Sequence, residues 1–367
     1  MNSLLHRAVS TLPVLLVACS ISAQSPIDRL IEQTGIEAGA VPIREIPGWR
    51  EPQKIVVRDI GLSQADFGKA LPGVEVIIVG SQAEAIDNAA GADAVIGWCE
   101  GELVATAKDA VWVQVYSAGA ERCMTVPRIV NGSVVLTNMQ KMASPVIAEH
   151  VIALTLSLAR KLPEYSKNMP QGVWLDHTPL AESMESIAGK TMLVAGLGGI
   201  GTEVAQRAAA LGMRVVGTRR SSREGPDFVE YVGLSDELFE LAGRADFIVN
   251  ALPLTAETTG LYDQEFFMAA RRGAYFINVG RGRSAVTDDL VAALASGQIA
   301  GAALDVTDPE PLPADHTLWQ MDNVIITPHV SSNGGNRVRH RIVLMDNLKR
   351  FKAGDALLNV VDPALGY

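Results

Sequence analysis

A glycine-rich turn at residues 196–201 is the segment whose residue types and spacing most directly suggest chemistry. It lies between a strand-like run at 192–195 and a helix-like run at 202–211. In such a turn the first glycine permits the bend, the second lets the backbone approach a pyrophosphate, and the last allows close helix–strand packing. The helix N-terminus adds free N–H groups and a favourable dipole for an anion. The spacing predicts a dinucleotide site that uses Gly196, Gly198, Gly199, Ile200 and Gly201.

The end of the next strand-like run, at 214–218, indicates which dinucleotide is bound. A carboxylate at this position commonly accepts hydrogen bonds from the ribose hydroxyls and would repel a 2′-phosphate. This chain has no acid there and presents Arg219 and Arg220, and guanidinium groups pair well with phosphate. We therefore expect NADP(H) to be preferred. NAD(H) is the alternative, because the two arginines could also form a solvated basic loop.

Two series of alternating strand-like and helix-like segments must position this turn. Short β-branched runs of the first series occur at 54–59, 74–80, 94–97, 111–117 and 134–138. Those of the second series occur at 192–195, 214–218, 245–251, 274–279, 301–306 and 324–327. The alternation predicts an α/β fold of two Rossmann-like, doubly wound parallel-sheet domains, with the active site in the cleft between them.

The same pattern suggests where the domains begin and end. A long apolar helix is expected at 143–162, followed by a polar, proline-containing crossing. We expect a last amphipathic helix to return to the first domain. The predicted division is a signal-like segment 1–23, a loosely packed leader 24–52, a substrate domain 53–162 plus 336–367, and a dinucleotide-binding domain 190–335.

Composition and cysteine spacing narrow the classes of partner. The chain carries 31 Lys and Arg against 41 Asp and Glu, a formal charge of −10, which argues against a nucleic-acid partner because phosphate binding needs a basic face. The three cysteines form no CxxC pair, so no metal site is predicted. We expect Cys99 and Cys123 to be buried free thiols; a disulfide between them is the alternative.

The N-terminal segment resembles an export signal. A short start with His6 and Arg7 leads into an apolar run at 8–18 that is too short to span a bilayer. The run ends at Cys19 in a sequence that matches a bacterial lipobox, while Ala23 offers a conventional cleavage point. We expect an exported protein, periplasmic or lipid-anchored at Cys19. A cytoplasmic protein is the alternative.

Three further motifs follow strand-like runs of the second series, and with the glycine turn they resemble the D-isomer-specific 2-hydroxyacid dehydrogenases. They are Asn278-Val279-Gly280-Arg281-Gly282, Asp305-Val306-Thr307-Asp308-Pro309-Glu310-Pro311 and Thr327-Pro328-His329. The resemblance runs from about residue 54 to 352. It includes Ser117-Ala118-Gly119-Ala120, Ala148-Glu149-His150 and Leu252-Pro253-Leu254-Thr255.

The resemblance implies that a 2-keto acid and a D-2-hydroxy acid are interconverted by hydride transfer with NAD(P). Arg281 is then the substrate-binding arginine, His329 the proton donor, and Glu310 the acid that pairs with the histidine. These residue types suit the chemistry. A substrate carboxylate is well bound by an always-charged planar fork, and a developing alkoxide needs an acid that works near pH 7.

The resemblance also implies the surrounding contacts and the assembly. Backbone N–H groups of Ala118 and Gly119 would hold a carboxylate oxygen, and Asp305 would bind the nicotinamide carboxamide. The remaining cofactor contacts would come from Leu252, Pro253, Thr258, Val279 and Gly280. A homodimer is expected. The alternative function is a dinucleotide-binding sensor or corepressor-like protein without turnover, against which the intact catalytic set argues.

Overall fold

The computed structural model describes residues 24–174, 178–335 and 337–366. The expected export signal, with Cys19 and Ala23, lies outside the described residues. Within those ranges, none of the helices combines the length and apolar character needed to cross a bilayer. The helices are α1 (Pro26–Thr34), α2 (Gln64–Ala70), α3 (Gln82–Asn88), α4 (Gly101–Thr106), α5 (Pro127–Val130), α6 (Ser144–Ala159), α7 (Leu162–Asn168), α8 (Pro179–Glu182), α9 (Gly199–Ala210), α10 (Leu238–Ala242), α11 (Gln264–Ala269), α12 (Thr287–Ala295) and α13 (Arg337–Ala353).

The first sheet contains the five strands that the sequence pattern predicts. They are β1 (Lys54–Arg58), β2 (Glu75–Val79), β3 (Ala94–Ile96), β4 (Trp112–Gln114) and β5 (Val135–Thr137). The strands are parallel and lie in the order β2-β1-β3-β4-β5. The centres of β1, β3 and β4 are fully buried, because helices cover both faces of a sheet of this kind.

The second sheet contains the six predicted strands and one more. Its members are β6 (Thr191–Ala195), β7 (Arg214–Thr218), β8 (Tyr231–Gly233), β9 (Phe247–Asn250), β10 (Ala274–Asn278), β11 (Ile299–Leu304) and β12 (Val324–Ile326). All are parallel, in the order β12-β11-β10-β9-β6-β7-β8. The sequence pattern misses β8 because Tyr-Val-Gly contains a single β-branched residue next to a glycine, whereas the equally short edge strand β12 is an unbroken apolar run, Val-Ile-Ile.

The leader is part of the first domain, and the expectation that it packs loosely is wrong. Leu30, Ile36 and Ile43 are buried in one apolar cluster with residues of the last helix, α13, including Phe351. The backbone N–H of Gly39 donates to the carbonyl of Leu357. The sequence does carry a local signal for part of the leader, since Ile27, Leu30 and Ile31 of α1 have helical spacing. Ile36 and Ile43 stand alone between polar positions, and only the tertiary structure shows that they are buried.

The helix at the domain boundary packs on the nucleotide-binding side. Ile147, Val151 and Leu154 of α6 share a buried cluster with Val204 and Ala208 of α9. The sequence-based division places this helix with the substrate domain, whereas its buried face belongs to the core around the second sheet. The chain therefore crosses from the first domain to the second just before α6. It crosses back before α13, which packs on the first domain as expected.

Cys99 and Cys123 are joined in a disulfide, and the expectation of two free thiols is wrong. Cys99 lies just after β3, and Cys123 lies in the loop after the neighbouring strand β4. Because parallel strands end at the same edge of the sheet, the two loops meet although the cysteines are 24 residues apart. The bond fixes the loop that carries Gly119.

Replacement of both cysteines by serine should destabilise the fold by about 2–4 kcal/mol, since the cross-link restricts the unfolded chain. Urea unfolding of the wild type and of Cys99→Ser/Cys123→Ser would measure this difference. Reductant should lower the midpoint of the wild type to that of the variant and leave the variant unchanged. Equal midpoints for both proteins under oxidising conditions would contradict a stabilising disulfide.

Candidate active site

The predicted site residues of the second domain follow neighbouring strands at one edge of its sheet. Parallel strands place all their carboxyl ends together, and ligands of open α/β sheets bind outside those ends. Along this edge lie His329 after β12, Glu310 after β11, Arg281 after β10, Leu252 and Pro253 after β9, the glycine turn after β6, and Arg219 and Arg220 after β7. The topology thus arranges residues that are distant in sequence into a single row.

The geometry of the glycine turn fits a dinucleotide. Gly196 has a φ of +92°, which glycine adopts without strain. A Cβ at Gly201 would lie 2.0 Å from the carbonyl oxygen of Gly196, so the close helix–strand packing excludes any side chain there. A Cβ at Gly198 would meet no atom of the described residues within 4 Å. Gly198 therefore faces open space at the start of α9, where free N–H groups can receive a pyrophosphate.

The end of β7 carries a donor suited to a further phosphate. The Nε of Arg219 is buried and has no hydrogen-bond partner among the described residues. Arg220 is exposed. The pKa of the nearby Glu257 carboxyl lies below its usual value because the Thr255 hydroxyl and the backbone N–H of Glu257 donate to it and Arg220 attracts it. This end of the row is positively charged and offers an unpaired donor.

His329 and Glu310 form the pair that the resemblance implies. The Nδ1 of His329 lies 2.7 Å from Oε1 of Glu310, and both side chains are about half exposed. His329 has a φ of +54°, a left-handed conformation that is uncommon for residues other than glycine. Its backbone N–H donates to the carbonyl of Asp305 at 2.8 Å, which holds this conformation. The contact with Glu310 uses Nδ1, which leaves Nε2 as the ring nitrogen for other partners.

Asp305 is the anchor of the loop that carries His329. Its side chain is only 1% exposed and accepts hydrogen bonds from the Thr327 hydroxyl at 2.6 Å and from the N–H groups of Val330 and Ser331. Burial opposes its ionisation, but these bonds outweigh burial and hold its pKa below the usual range. The His150 ring of α6 contacts Thr327 at 3.0 Å. The expected contact of Asp305 with nicotinamide stays a prediction.

Arg281 reaches across the cleft to the first domain. Its Nε donates to Oε1 of Glu121 at 2.9 Å, and its Nη1 donates to the carbonyl of Gly280 at 2.7 Å. A Cβ at Gly119 would lie 1.9 Å from Nη2 of Arg281. The structure therefore brings Gly119 and Arg281 together, and the expected contact of both with a substrate carboxylate stays a prediction. The sequence gives no sign of a role for Glu121, because a pairing between residues 160 positions apart leaves no local signal.

A buried polar network fixes the turn that carries Arg281. The Asn278 amide and the Ser284 hydroxyl both donate to the carbonyl oxygen of Arg281, at 3.1 and 2.5 Å. Asn250 donates to Asn278 and Ser284, and the buried Tyr262 hydroxyl donates to Asn250. Fully paired networks of this kind specify one conformation. The backbone of Arg281 is therefore held independently of its side-chain partners.

The remaining predicted cofactor residues lie beside this network. Val279 is buried, and a Cβ at Gly280 would lie 2.8 Å from the carbonyl of Leu252, so Gly280 allows the two loops to touch. The hydroxyl of Thr258 donates to the carbonyl of Pro253 at 2.7 Å and so braces the loop after β9. On the other side of the cleft, within the first domain, the side-chain amide of Asn138 donates a hydrogen bond to the carbonyl of Ala118. These contacts shape the loops around the row.

Known proteins resemble this chain over much of its length. Residues 152–331 match the model of the D-isomer specific 2-hydroxyacid dehydrogenase NAD binding domain. The chain is 40% identical over 202 residues, 54% of its length, to the human glyoxylate reductase/hydroxypyruvate reductase, of which the match spans 60%. It is 32% identical over 253 residues, 67% of its length, to a glyoxylate reductase of Korarchaeum cryptofilum, of which the match spans 74%.

Solved structures extend the likeness to both domains. The NADPH-dependent glyoxylate/hydroxypyruvate reductase of Sinorhizobium meliloti, in complex with NADP and sulfate, superposes with a TM-score of 0.73 at 30% identity. The superposition covers 86% of this chain and all of that one. Both Rossmann-like domains, the row of motifs and the extent of these matches lead to one assignment: the chain belongs to the D-isomer-specific 2-hydroxyacid dehydrogenase family.

Proposed function

We propose that this protein is an NADP(H)-dependent reductase that converts small 2-keto acids into D-2-hydroxy acids. The observation that carries the proposal is the placement of the Arg281 guanidinium and the His329–Glu310 pair at the ends of neighbouring strands β10, β11 and β12. A fixed cation beside an oriented acid–base group is what reduction of a keto acid requires of a protein. A sensor could use the cation to bind a ligand but would not need the acid–base pair.

The residues divide the work between binding and proton transfer. Arg281 binds the substrate carboxylate, and the backbone N–H groups of Ala118 and Gly119 complete that contact. The bound nicotinamide supplies the hydride. His329 donates a proton from Nε2 to the keto oxygen as that oxygen becomes a hydroxyl. Glu310 holds Nδ1 and so fixes the orientation of the ring.

NADP(H) is the proposed cofactor because of the charge at the end of β7. The unpaired, buried Nε of Arg219 offers a charge-assisted hydrogen bond to a 2′-phosphate. Arg220 adds a second positive charge. The Sinorhizobium meliloti reductase, which binds NADP, supports this choice. Gly198, at the start of α9, receives the pyrophosphate in this proposal.

Export and a homodimer are part of the same proposal. The disulfide supports export, since such bonds persist mainly in oxidising compartments. The intact mass of the mature protein tests this proposal.

The crossing segment that follows α6 supports a dimer, because it exposes the apolar side chains of Met169, Val173 and Trp174, the last to 88%. Exposed apolar patches commonly mark interfaces. Sedimentation tests the dimer.

Removal of the proposed proton donor should abolish most of the turnover. We expect the wild type to oxidise NADPH with glyoxylate or hydroxypyruvate, and His329→Ala to lower kcat by about 10²–10⁴-fold, the usual contribution of a general acid. Glu310→Gln should cause a smaller loss because it keeps a hydrogen-bonding side chain beside Nδ1. NADPH binding, followed by fluorescence, should be unchanged in both variants. Binding of NADPH without turnover of any 2-keto acid in the wild type would contradict the proposed function.

The two arginines after β7 should decide the choice of cofactor. Arg219→Leu/Arg220→Leu should lower kcat/KM for NADPH by about tenfold or more, since hydrogen bonds to charged groups contribute about 1.5–3 kcal/mol. The value for NADH should change little. Arg223→Leu is the matched control, because Arg223 lies in the same loop but pairs with Glu237 at 2.7 Å. A wild type that favours NADH would exclude the proposed preference.

A methyl group at residue 119 should displace Arg281. Gly119 does not have a positive φ, so alanine fits its backbone, while the added Cβ would lie 1.9 Å from Nη2 of Arg281. We expect Gly119→Ala to lower kcat/KM for a 2-keto acid by roughly 10²-fold, the typical cost of a misplaced binding group, with NADPH affinity unchanged. Gly68→Ala is the control, because a Cβ there meets no described atom within 4 Å. Equal activity of the two variants would show that Gly119 does not position Arg281.

A further inference from the structure

Three side chains at the cleft edge of the first sheet have no role in the proposed mechanism. Arg58 is the last residue of β1, Trp98 follows β3, and Tyr116 follows β4. Because β1, β3 and β4 are neighbours in the sheet, these residues lie side by side. Tyr116 is three residues before Gly119, which touches Arg281.

The three side chains are packed into one cluster around Gly97. This residue has a φ of +114°, and a Cβ there would lie 2.4 Å from Cβ of Arg58 and 3.3 Å from Cε2 of Tyr116. The guanidinium of Arg58 lies 5.3 Å from the centre of the Trp98 ring. The guanidinium of Arg58, at the end of β1, therefore lies over the ring of Trp98, which follows β3.

The cluster contains a buried hydroxyl without a hydrogen-bond partner and an exposed guanidinium without an ion pair among the described residues. The Tyr116 hydroxyl is buried and has no hydrogen-bond partner within the described part of the chain. Burial raises the pKa of Tyr116 above its usual value although the charge of Arg58 opposes this, so the hydroxyl is a neutral donor. Arg58 stacks on Trp98 but makes no ion pair with the described residues. An aromatic ring under a guanidinium leaves its N–H edge open for an anion.

The neighbouring acids Asp59 and Glu100 form no ion pair with Arg58, although the charge of Asp59 acts on Tyr116. Asp59 accepts a hydrogen bond from the N–H of Gly61 at 2.7 Å, and Glu100 accepts one from the N–H of Cys99 at 3.1 Å. The positive charge of Arg58 is therefore not neutralised by a direct contact. A buried donor without an acceptor is costly, and a ligand that brings an acceptor would remove that cost.

The cluster lies at the same edge of the first sheet as the loop that meets Arg281. Adjacent strands are about 4.8 Å apart, so the segments that follow β3 and β4 lie side by side, and the segment after β4 runs from Tyr116 to Gly119, beside Arg281. A keto acid whose carboxylate is held by Arg281 therefore lies at the edge of the first domain that carries the guanidinium of Arg58.

We propose that Arg58, Trp98 and Tyr116 form a second anion subsite, which selects 2-keto acids that carry another anionic group at their far end. This inference rests on the proposed reductase function and deepens it. Arg58 pairs with the distal anion, Tyr116 donates to it, and Trp98 holds the guanidinium in place. A distal carboxylate and a distal phosphate share this chemistry, and the experiment separates them.

The test compares matched substrates in the NADPH oxidation assay. For wild type, kcat/KM should be at least tenfold higher for 2-oxoglutarate than for 2-oxopentanoate, which has the same chain length without the distal charge. A higher ratio for 3-phosphohydroxypyruvate over hydroxypyruvate would instead assign the subsite to a phosphate. Arg58→Leu should lower the preferred ratio by about tenfold or more, Arg58→Lys should retain part of it, and Tyr116→Phe should lower it several-fold. Arg272→Leu, an exposed arginine of the second domain, should leave it unchanged.

The outcomes separate the subsite from the reductase. Turnover of the monoanionic keto acids with ratios near one, or a ratio unaffected by Arg58→Leu, would overturn the subsite and leave the proposed function intact. If no 2-keto acid is reduced, the proposed function fails, and calorimetry with glutarate then decides the subsite. Tighter binding to wild type than to Arg58→Leu would support it, and equal binding would overturn it.

Discussion

The buried carboxylate of Asp305 is the interaction on which the catalytic side of this protein depends. It lies at the end of β11 and accepts hydrogen bonds from the segment after β12. An ionised carboxylate is stable at such depth only when donors replace its water, and here the donors are the groups of the loop that carries His329. The left-handed backbone of that histidine and its pairing with Glu310 follow from the position of the loop.

The second constraint is that both sheets are entirely parallel. Each sheet therefore gathers its loops at one edge, and the ion pair of Arg281 with Glu121 brings the two edges face to face. The guanidinium of Arg281 lies so close to Gly119 that there is no room for a Cβ. This close approach across the cleft therefore requires a residue without a side chain. The pair occupies one side of Arg281 and sets the orientation of its guanidinium, which in the proposed function receives the substrate carboxylate.

The first domain supplies rigidity as well as contacts. The leader covers its core through Leu30, Ile36 and Ile43, and the disulfide ties the segment after β3 to the loop that follows β4. Both features stabilise the edge that carries Arg58, Trp98 and Gly119. The proposed subsite for the substrate's far end and the proposed contact with its carboxylate therefore lie on the same cross-linked edge.

The sequence by itself determined the repeating pattern and the motifs. Alternating apolar segments predicted both sheets, since periodicity is a local property, and the glycine turn and the motifs around Arg281, Glu310 and His329 are contiguous in the chain. Tertiary structure alone decided what depends on distant segments meeting. The pairing of Arg281 with Glu121, the bond between Cys99 and Cys123, the packing of α6 on α9 and the burial of the leader each join positions that carry no sequence signal of their contact. The short edge strand β8 belongs with them, because three residues form a strand only when a neighbouring strand pairs with them.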